Sequence, residues 1–134
     1  MPDSSTDGSN GRVAITLPGE RRAIGIVRLF VGGLAARLDL GYETMDDLQL
    51  AVESVLLGAE LGPEITVAAH VDGDAVSLSI GPFPSDPLAT GTDETGELDL
   101  GHLLAALVAR AETTTEDGAC WLRLDVRIPA GSGA

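Results

Sequence analysis

The chain has 134 residues and a formal net charge of -13, set by 21 acidic against 8 basic residues. A nucleic-acid-binding protein needs a basic surface to displace phosphate counterions, and docking on an anionic membrane needs one as well, so we expect neither partner. All 8 basic residues are arginine, and the absence of lysine excludes a P-loop lysine, a Schiff-base lysine and a lysine general base.

Both ends of the chain are small and polar. The first residues, MPDSSTDGSNG, contain no apolar stretch of the signal-peptide type, and the last are AGSGA. We expect disordered tails over 1–11 and 130–134 and one domain over 12–129. No window approaches about 18 consecutive apolar residues, and Cys120 is the only cysteine, so an internal disulfide is excluded. These features predict a cytoplasmic protein.

The first half of the chain predicts one strand followed by a helix. Apolar residues alternate from residue 13 until Pro18-Gly19, which ends the strand. A helix over 20–38 follows, because apolar residues recur with helical spacing at Ile24, Val27, Val31, Leu34 and Leu38. Three glycines inside this helix, Gly25, Gly32 and Gly33, each cost about 1 kcal/mol against alanine, which indicates close packing against a neighbour.

A second helix is predicted to open at Thr44, whose hydroxyl can cap a backbone N–H one turn on. Asp46 and Asp47 then lie near the positive end of the helix, where their charge is favourable. Its apolar stripe consists of Leu48, Val52, Val55 and Ala59. We expect Gly62-Pro63 to end this helix.

The second half of the chain predicts a hairpin, a long loop, a third helix and a last strand. The hairpin turns at Asp72-Gly73 between two alternating segments. The segment over 81–96 lacks periodicity and is expected to be a mobile loop, followed by a helix over 98–108 and a strand over 120–128. Each strand is apolar on one face only. We therefore expect an α+β two-layer sandwich: a mixed, mainly antiparallel four-stranded sheet with three helices on one face.

The most distinctive segment is DDLQLAVESVLLGA at residues 46–59. It resembles the D-D-L-x-L-A-V-x-E-x-x-x-N-A signature of the serine/threonine-kinase anti-sigma factors, a branch of the histidine-kinase-like (Bergerat-fold, GHKL) ATPase superfamily. The run VRLFV at residues 27–31 resembles the A-R-x-F-V run of that family's preceding helix, and the order of elements matches over 12–128. The resemblance implies a Bergerat-like fold and a bacterial regulator of transcription that binds a sigma factor or a STAS-type anti-anti-sigma factor.

The resemblance also implies which positions on this helix would serve Mg-ATP. The glutamate of the motif, a base or water-orienting group, falls at Ser54. Glu53 is the other candidate catalytic residue, but one helical step turns it by about 100° onto another face. The asparagine that coordinates Mg²⁺ falls at Gly58, which has no side-chain oxygen to offer a metal. The resemblance therefore implies a degenerate member of the family.

The glycine-rich boxes of the family are reduced to isolated glycines. The adenine-binding aspartate should follow the second hairpin strand, but Ile80 runs into Gly81-Pro82, and Asp86 lies beyond two prolines. Little of the later box that closes over the phosphates remains. The candidate cofactor-binding positions are Gly58, Gly81, Gly96 and Gly101. We expect no cofactor if the site is lost and Mg-ATP if it is kept.

Each candidate also has a purely structural interpretation. Glycine is common at helix C-termini, which accounts for Gly58 without a lost metal site. Glu53 fits a solvated helix face. His70 and His102 have no cysteine, aspartate or second histidine at ligand spacing, so we expect no metal site.

Three functions are compatible with these observations. The first, which we favour, is a degenerate anti-sigma-type regulator that binds a sigma factor or an anti-anti-sigma partner through its outer surface. The second is an active ATP-dependent protein serine/threonine kinase with a divergent site. The third is a structural or small-ligand module that shares only the α+β pattern. All three functions are compatible with a homodimer.

Overall fold

The computed structural model describes residues 12–89 and 100–128. Eight elements follow one another along these residues: β1 (Arg12–Pro18), α1 (Ala23–Arg37), α2 (Tyr42–Gly58), β2 (Glu64–Asp72), β3 (Ala75–Phe83), α3 (Leu100–Leu107), β4 (Arg110–Glu116) and β5 (Ala119–Arg127). Both predicted tails lie outside the described residues. No helix of the described part is long and apolar enough to cross a membrane.

The strands form a single antiparallel sheet in the order β1-β2-β3-β5-β4. The sheet has five strands, so the prediction of four was wrong. The missing strand is β4, whose sequence RAETTTE has no apolar alternation to reveal it. It pairs with β5 through a two-residue turn at Asp117 and Gly118, which have φ values of 53° and 79°. Aspartate and glycine accept this left-handed backbone at low cost, which suits a tight hairpin.

The helices bury their apolar stripes against one face of the sheet. In register across β2, β3 and β5, that face presents Val67, Ile80 and Leu122 in one row and Ala69, Leu78 and Leu124 in the next. These side chains share one core with the buried residues of all three helices. The other face of the sheet is polar, so the predicted two-layer α+β sandwich is confirmed.

The start of α2 differs from the prediction. Its N-cap is Gly41, with φ 88°, and not Thr44, which lies inside the first turn. Glycine at this position turns the chain directly into the helix, so α2 begins at Tyr42 without a side-chain cap. The helix also ends earlier than expected, at Gly58 rather than at Gly62-Pro63.

The second hairpin strand continues further than expected. Phe83 is buried and pairs with Cys120 at the end of β3, so the loop predicted over 81–96 begins only after Phe83. Between Ile80 and Phe83 the register shifts, because Gly81 and Pro82 lie opposite a single residue of β5. Such a β-bulge bends a strand locally and hides the apolar alternation in the sequence. Residues 90–96 of the predicted loop lie outside the described residues.

Candidate functional site

Glu53 lies on the side of α2 that contacts α1. Its Oε1 is 3.8 Å from Nε of Arg28, and both side chains are partly exposed. One turn earlier, Nε2 of Gln49 donates a hydrogen bond of 2.9 Å to the backbone carbonyl of Arg28. Gly32 makes this contact possible, because a β-carbon there would lie 3.0 Å from Nε2 of Gln49. Glu53 therefore belongs to a polar contact between the two helices.

Ser54 and Gly58 lie one and five residues further along α2. Ser54 is half-buried, and Gly58 is exposed as the last residue of the helix. A β-carbon added at Gly58 would meet nothing within 4 Å, so the surrounding structure does not demand glycine there. A neutral hydroxyl is a poor general base at neutral pH, and glycine has no side chain to ligate a metal. Neither position presents the carboxylate or amide oxygen that the family's chemistry uses.

Gly81 lies on the opposite face of the sheet from the helices. A β-carbon there would lie 2.9 Å from Cδ2 of Trp121 and 3.0 Å from the carbonyl oxygen of Cys120. The indole ring covers the backbone of β3 at the bulge, and only glycine leaves room for it. Packing against Trp121 accounts for this glycine, and the residue does not share a surface with Ser54 or Gly58.

The segment after β3 is fixed by Asp86. Its Oδ1 accepts a hydrogen bond of 2.8 Å from the backbone N–H of Leu88, and its Oδ2 accepts one of 3.1 Å from the hydroxyl of Thr113. Oδ1 therefore fixes the turn within this segment, and Oδ2 ties the segment to β4. Of the glycines in the last predicted box, Gly101 is half-buried as the second residue of α3, and Gly96 lies outside the described residues.

The described residues contain no group of three or more His, Cys, Asp or Glu side chains that could hold a metal ion. His70 is exposed on β2 and His102 is exposed on α3. The candidates from the sequence thus fall into separate places. Glu53, Ser54 and Gly58 share α2, while Gly81 lies on the outer sheet face.

A polar cluster on the outer sheet face was not predicted. Oδ1 of Asp125 accepts hydrogen bonds of 2.7 Å from Ser77 and 3.0 Å from Nε of Arg123. Burial raises the pKa of Asp125, but these two hydrogen bonds and the charge of Arg123 outweigh burial, so its pKa lies below the ordinary value. The hydrogen bond and the charge of Asp125 in turn raise the pKa of Arg123. Ser77 and Asp125 are paired across β3 and β5, a register that the sequence alone does not fix.

Two grooves lie on the outer side of the α1–α2 pair. The first, of about 380 Å³, is lined by Gly25, Arg28, Leu29, Gly32, Gly33, Met45 and Gln49. The second, of about 310 Å³, is lined by Ala35, Ala36, Asp39, Gly41, Tyr42 and Met45. None of the candidate nucleotide positions on α2, α3 or the sheet lines either groove.

Comparison with known proteins agrees with the signature on α2. No protein-family model matches the chain. The chain is 26% identical over 99 residues to the serine-protein kinase RsbW of Listeria innocua serovar 6a, and the match covers 68% of this chain and 63% of the kinase. This chain is similar to the RsbW serine-protein kinase. The resemblance inferred from residues 46–59 is thereby confirmed, although the chain spans less than two thirds of the length of that relative.

A solved structure supports the RsbW-like fold. The chain matches the crystal structure of the RsbU and RsbW domains of Rv1364c from Mycobacterium tuberculosis with a TM-score of 0.65 and 23% sequence identity. The match covers 87% of this chain and 32% of that one. A structural match at 23% identity establishes the α+β sandwich fold of this chain. It does not establish an activity, which depends on the residues of the site.

Proposed function

We propose that this chain is an RsbW-like regulatory domain that acts by binding proteins and has largely lost its nucleotide site. It sequesters a sigma factor or pairs with a STAS-type anti-anti-sigma factor, both of them cytoplasmic proteins. The observation that carries the proposal is on α2. Where the resemblance calls for a glutamate and an asparagine, this helix has Ser54 and Gly58, although its buried face is intact.

Electrostatics supports the loss of the nucleotide. A triphosphate carries roughly four negative charges, and a chain at -13 repels it unless a metal ion or fixed cations intervene. Without the asparagine oxygen at position 58, one metal ligand is missing, and the chain has no lysine whose positive charge could hold the phosphates instead. Glu53, the carboxylate nearest to the motif position, is engaged by Arg28 of α1. The core, by contrast, is apolar and does not depend on a bound nucleotide.

The alternative function is an active protein serine/threonine kinase. The similarity to a serine-protein kinase favours it, and Glu53 is then the residue that would act as the base. In that reaction the γ-phosphoryl group leaves ATP for a serine hydroxyl of the anti-anti-sigma partner, and ADP is released. Incubation with Mg-ATP and the partner, followed by mass spectrometry, separates the two functions. The proposal predicts no phosphoserine; phosphoserine that disappears in Glu53→Ala would establish the kinase.

The binding function is tested with the sigma factors and STAS-domain proteins encoded in the same genome, purified one by one. Each is mixed with the full chain in the absence of nucleotide, and complexes are measured by size-exclusion chromatography with light scattering. We expect a stable complex with at least one of them, unchanged by adding Mg-ATP. The same measurement gives the mass of the free chain and so decides between monomer and homodimer. If no sigma factor or STAS protein binds with or without ATP, the proposal is wrong.

A further inference from the structure

The outward face of α2 carries two exposed leucines. Leu50 has 47% of its surface exposed and Leu57 has 53%, and neither belongs to the hydrophobic core. They are seven residues apart, which is two helical turns, so they lie on one face about 10.5 Å apart along the helix axis. That face is opposite to the buried stripe that contains Leu48 and Val52. The helix α2 therefore has a second apolar pair on its solvent side.

These leucines lie in the middle of the helical layer. The helix α2 contacts both α1 and α3, so it is the central helix of the three. Neither leucine lines the two grooves beside α1. A spacing of seven residues is the repeat at which one helix packs its apolar side chains on another. Exposed apolar side chains arranged in this way are typical of a surface that another molecule covers.

The surface around the leucines is acidic. Residues 42–60 contain five acidic residues and no basic residue, which is a local charge of -5. Glu43 and Asp46 are exposed, and they precede Leu50 by seven and four residues. At these spacings their side chains lie on the same face of α2 as the leucines. The face therefore combines an apolar pair with exposed negative charge.

The chain supplies little positive charge to this face. No lysine or arginine occurs between Arg37 and Arg110. The side chain of Arg28 contacts Glu53, on the side of α2 that faces α1. Beyond the end of the helix lies Glu60, near the negative end of the helix dipole, and the last turn of α2 has no basic residue to offset it. Positive groups from another molecule would be favoured along the whole length of α2.

We propose that the outward face of α2 binds a basic amphipathic helix of a partner protein. The apolar side of that helix packs on Leu50 and Leu57, and its lysines or arginines pair with Glu43 and Asp46. A second copy of the same face fits less well, because it would bring like charges together. The inference rests on the proposed function, since it names the surface and the chemistry through which such a regulator holds its partner.

The probe is a fluorescein-labelled helical peptide of about 20 residues with leucines along one face and lysines elsewhere. Its control is a peptide of the same composition with the leucines distributed around the helix, which measures the general attraction of a basic peptide to a chain at -13. Binding to the full chain is followed by fluorescence anisotropy. We expect the amphipathic peptide to bind at least about tenfold more tightly than the control. Equal binding of the two peptides, or no binding, would overturn the inference.

Variants of the leucines locate the contact. Leu50→Ser combined with Leu57→Ser should lower the affinity for the amphipathic peptide at least about tenfold, because the apolar pair is lost. Its melting temperature should stay close to that of the native chain, since neither side chain belongs to the core. Leu29→Ser is the matched control, because Leu29 is 77% exposed on α1, and it should leave binding unchanged. A loss of the same size in Leu29→Ser, or no loss in the double variant, would contradict a contact on α2.

Variants of the carboxylates test the charge of the partner. Glu43→Gln combined with Asp46→Asn should weaken binding and make it less dependent on salt, because two of the pairing groups are neutralised. Glu64→Gln combined with Glu116→Gln removes the same charge from exposed positions on the sheet and should change the affinity by less than about twofold. Equal losses in the two double variants would show that only the net charge matters and would overturn the assignment to α2.

The leucine variant also separates this inference from the proposed function. If a sigma factor or STAS protein binds the native chain and the Leu50→Ser, Leu57→Ser variant equally well, α2 is not the docking surface, but the regulatory function stands. If the peptide binds on α2 and no sigma factor or STAS protein binds the chain, the proposed function is wrong and the α2 surface stands. Loss of both interactions in this variant supports the two together.

Discussion

At the scale of single residues, Gly81 illustrates a role that only the tertiary structure explains. The backbone of β3 passes so close to the indole of Trp121 that a β-carbon would lie 2.9 Å from the ring. We expect Gly81→Ala to lower the free energy of unfolding by about 1–3 kcal/mol, the usual cost of overpacking. Gly33→Ala is the matched control: it faces open space, and alanine is the better helix former, so it should raise stability by about 0.5–1 kcal/mol. Urea denaturation measures both; destabilisation of the same size in both variants would contradict the assignment.

The lowered pKa of Asp125 predicts how the stability of the fold changes with pH. Because the folded pKa of Asp125 lies below its ordinary value, its contribution to stability is fully present above the unfolded pKa and is lost as pH falls through the folded pKa. Asp125→Asn should therefore be less stable than the native chain at neutral pH, and the difference should shrink below about pH 4. Urea denaturation at several pH values measures this difference. Glu64→Gln, at an exposed position on β2, serves as the control; a constant difference for Asp125→Asn across the whole range would argue against the proposed cluster.

At the scale of elements, the regular periodicities predicted the core well. Val52 belongs to the apolar stripe predicted for α2, and Leu122 lies in the predicted strand over 120–128; the two side chains are 1% and 0% exposed. Val52→Ala and Leu122→Ala should each lower the free energy of unfolding by roughly 2–4 kcal/mol, because each leaves a cavity in a packed core. Leu57→Ala, on the exposed side of α2, should stay within about 0.5 kcal/mol. Chemical denaturation measures the three unfolding free energies. A small effect of both Val52→Ala and Leu122→Ala would contradict the burial of these side chains in the core.

There are physical reasons why the sequence did not reveal β4 and the end of β3. The strand β4 is rich in threonine and charge and lies at the edge of the sheet, so burial imposes no apolar alternation on it. Its turn, Asp117-Gly118, was the available signal, because this dipeptide favours tight hairpins. The end of β3 was mistaken for a loop because a bulge at Gly81-Pro82 interrupts the alternation there. Apolar alternation alone therefore reveals neither the edge strand nor the part of β3 beyond the bulge.

The candidate site was predictable only along α2. Helical spacing fixes the relation of Glu53, Ser54 and Gly58 to one another, and the structure adds that Glu53 contacts Arg28. The packing of Gly81 against Trp121 depends on the pairing of β3 with β5. The hydrogen bond that Asp86 accepts from Thr113 depends on the unpredicted strand β4. Contacts between residues far apart in sequence follow from register and topology, which a single sequence leaves open.

At the scale of the whole molecule, the fold and the nucleotide chemistry are separable. The α+β sandwich is held by one apolar core that involves every helix and the inner sheet face. The motif positions Ser54 and Gly58 lie outside this core, so they can change without loss of the fold. With a net charge of -13, the molecule also offers a triphosphate no general attraction. The chain therefore has an RsbW-like fold, and we propose that it acts through its surface.

Isothermal titration calorimetry with Mg-ATP tests this central claim most directly. For the native chain we expect no saturable heat, or a Kd weaker than about 1 mM, because two or three lost ligand contacts of about 1.5–3 kcal/mol each move a micromolar site to the millimolar range. Glu53→Ala is titrated in parallel, with Glu64→Ala as the control. A Kd below about 50 μM that Glu53→Ala abolishes and Glu64→Ala preserves would contradict the account and establish a working ATP site.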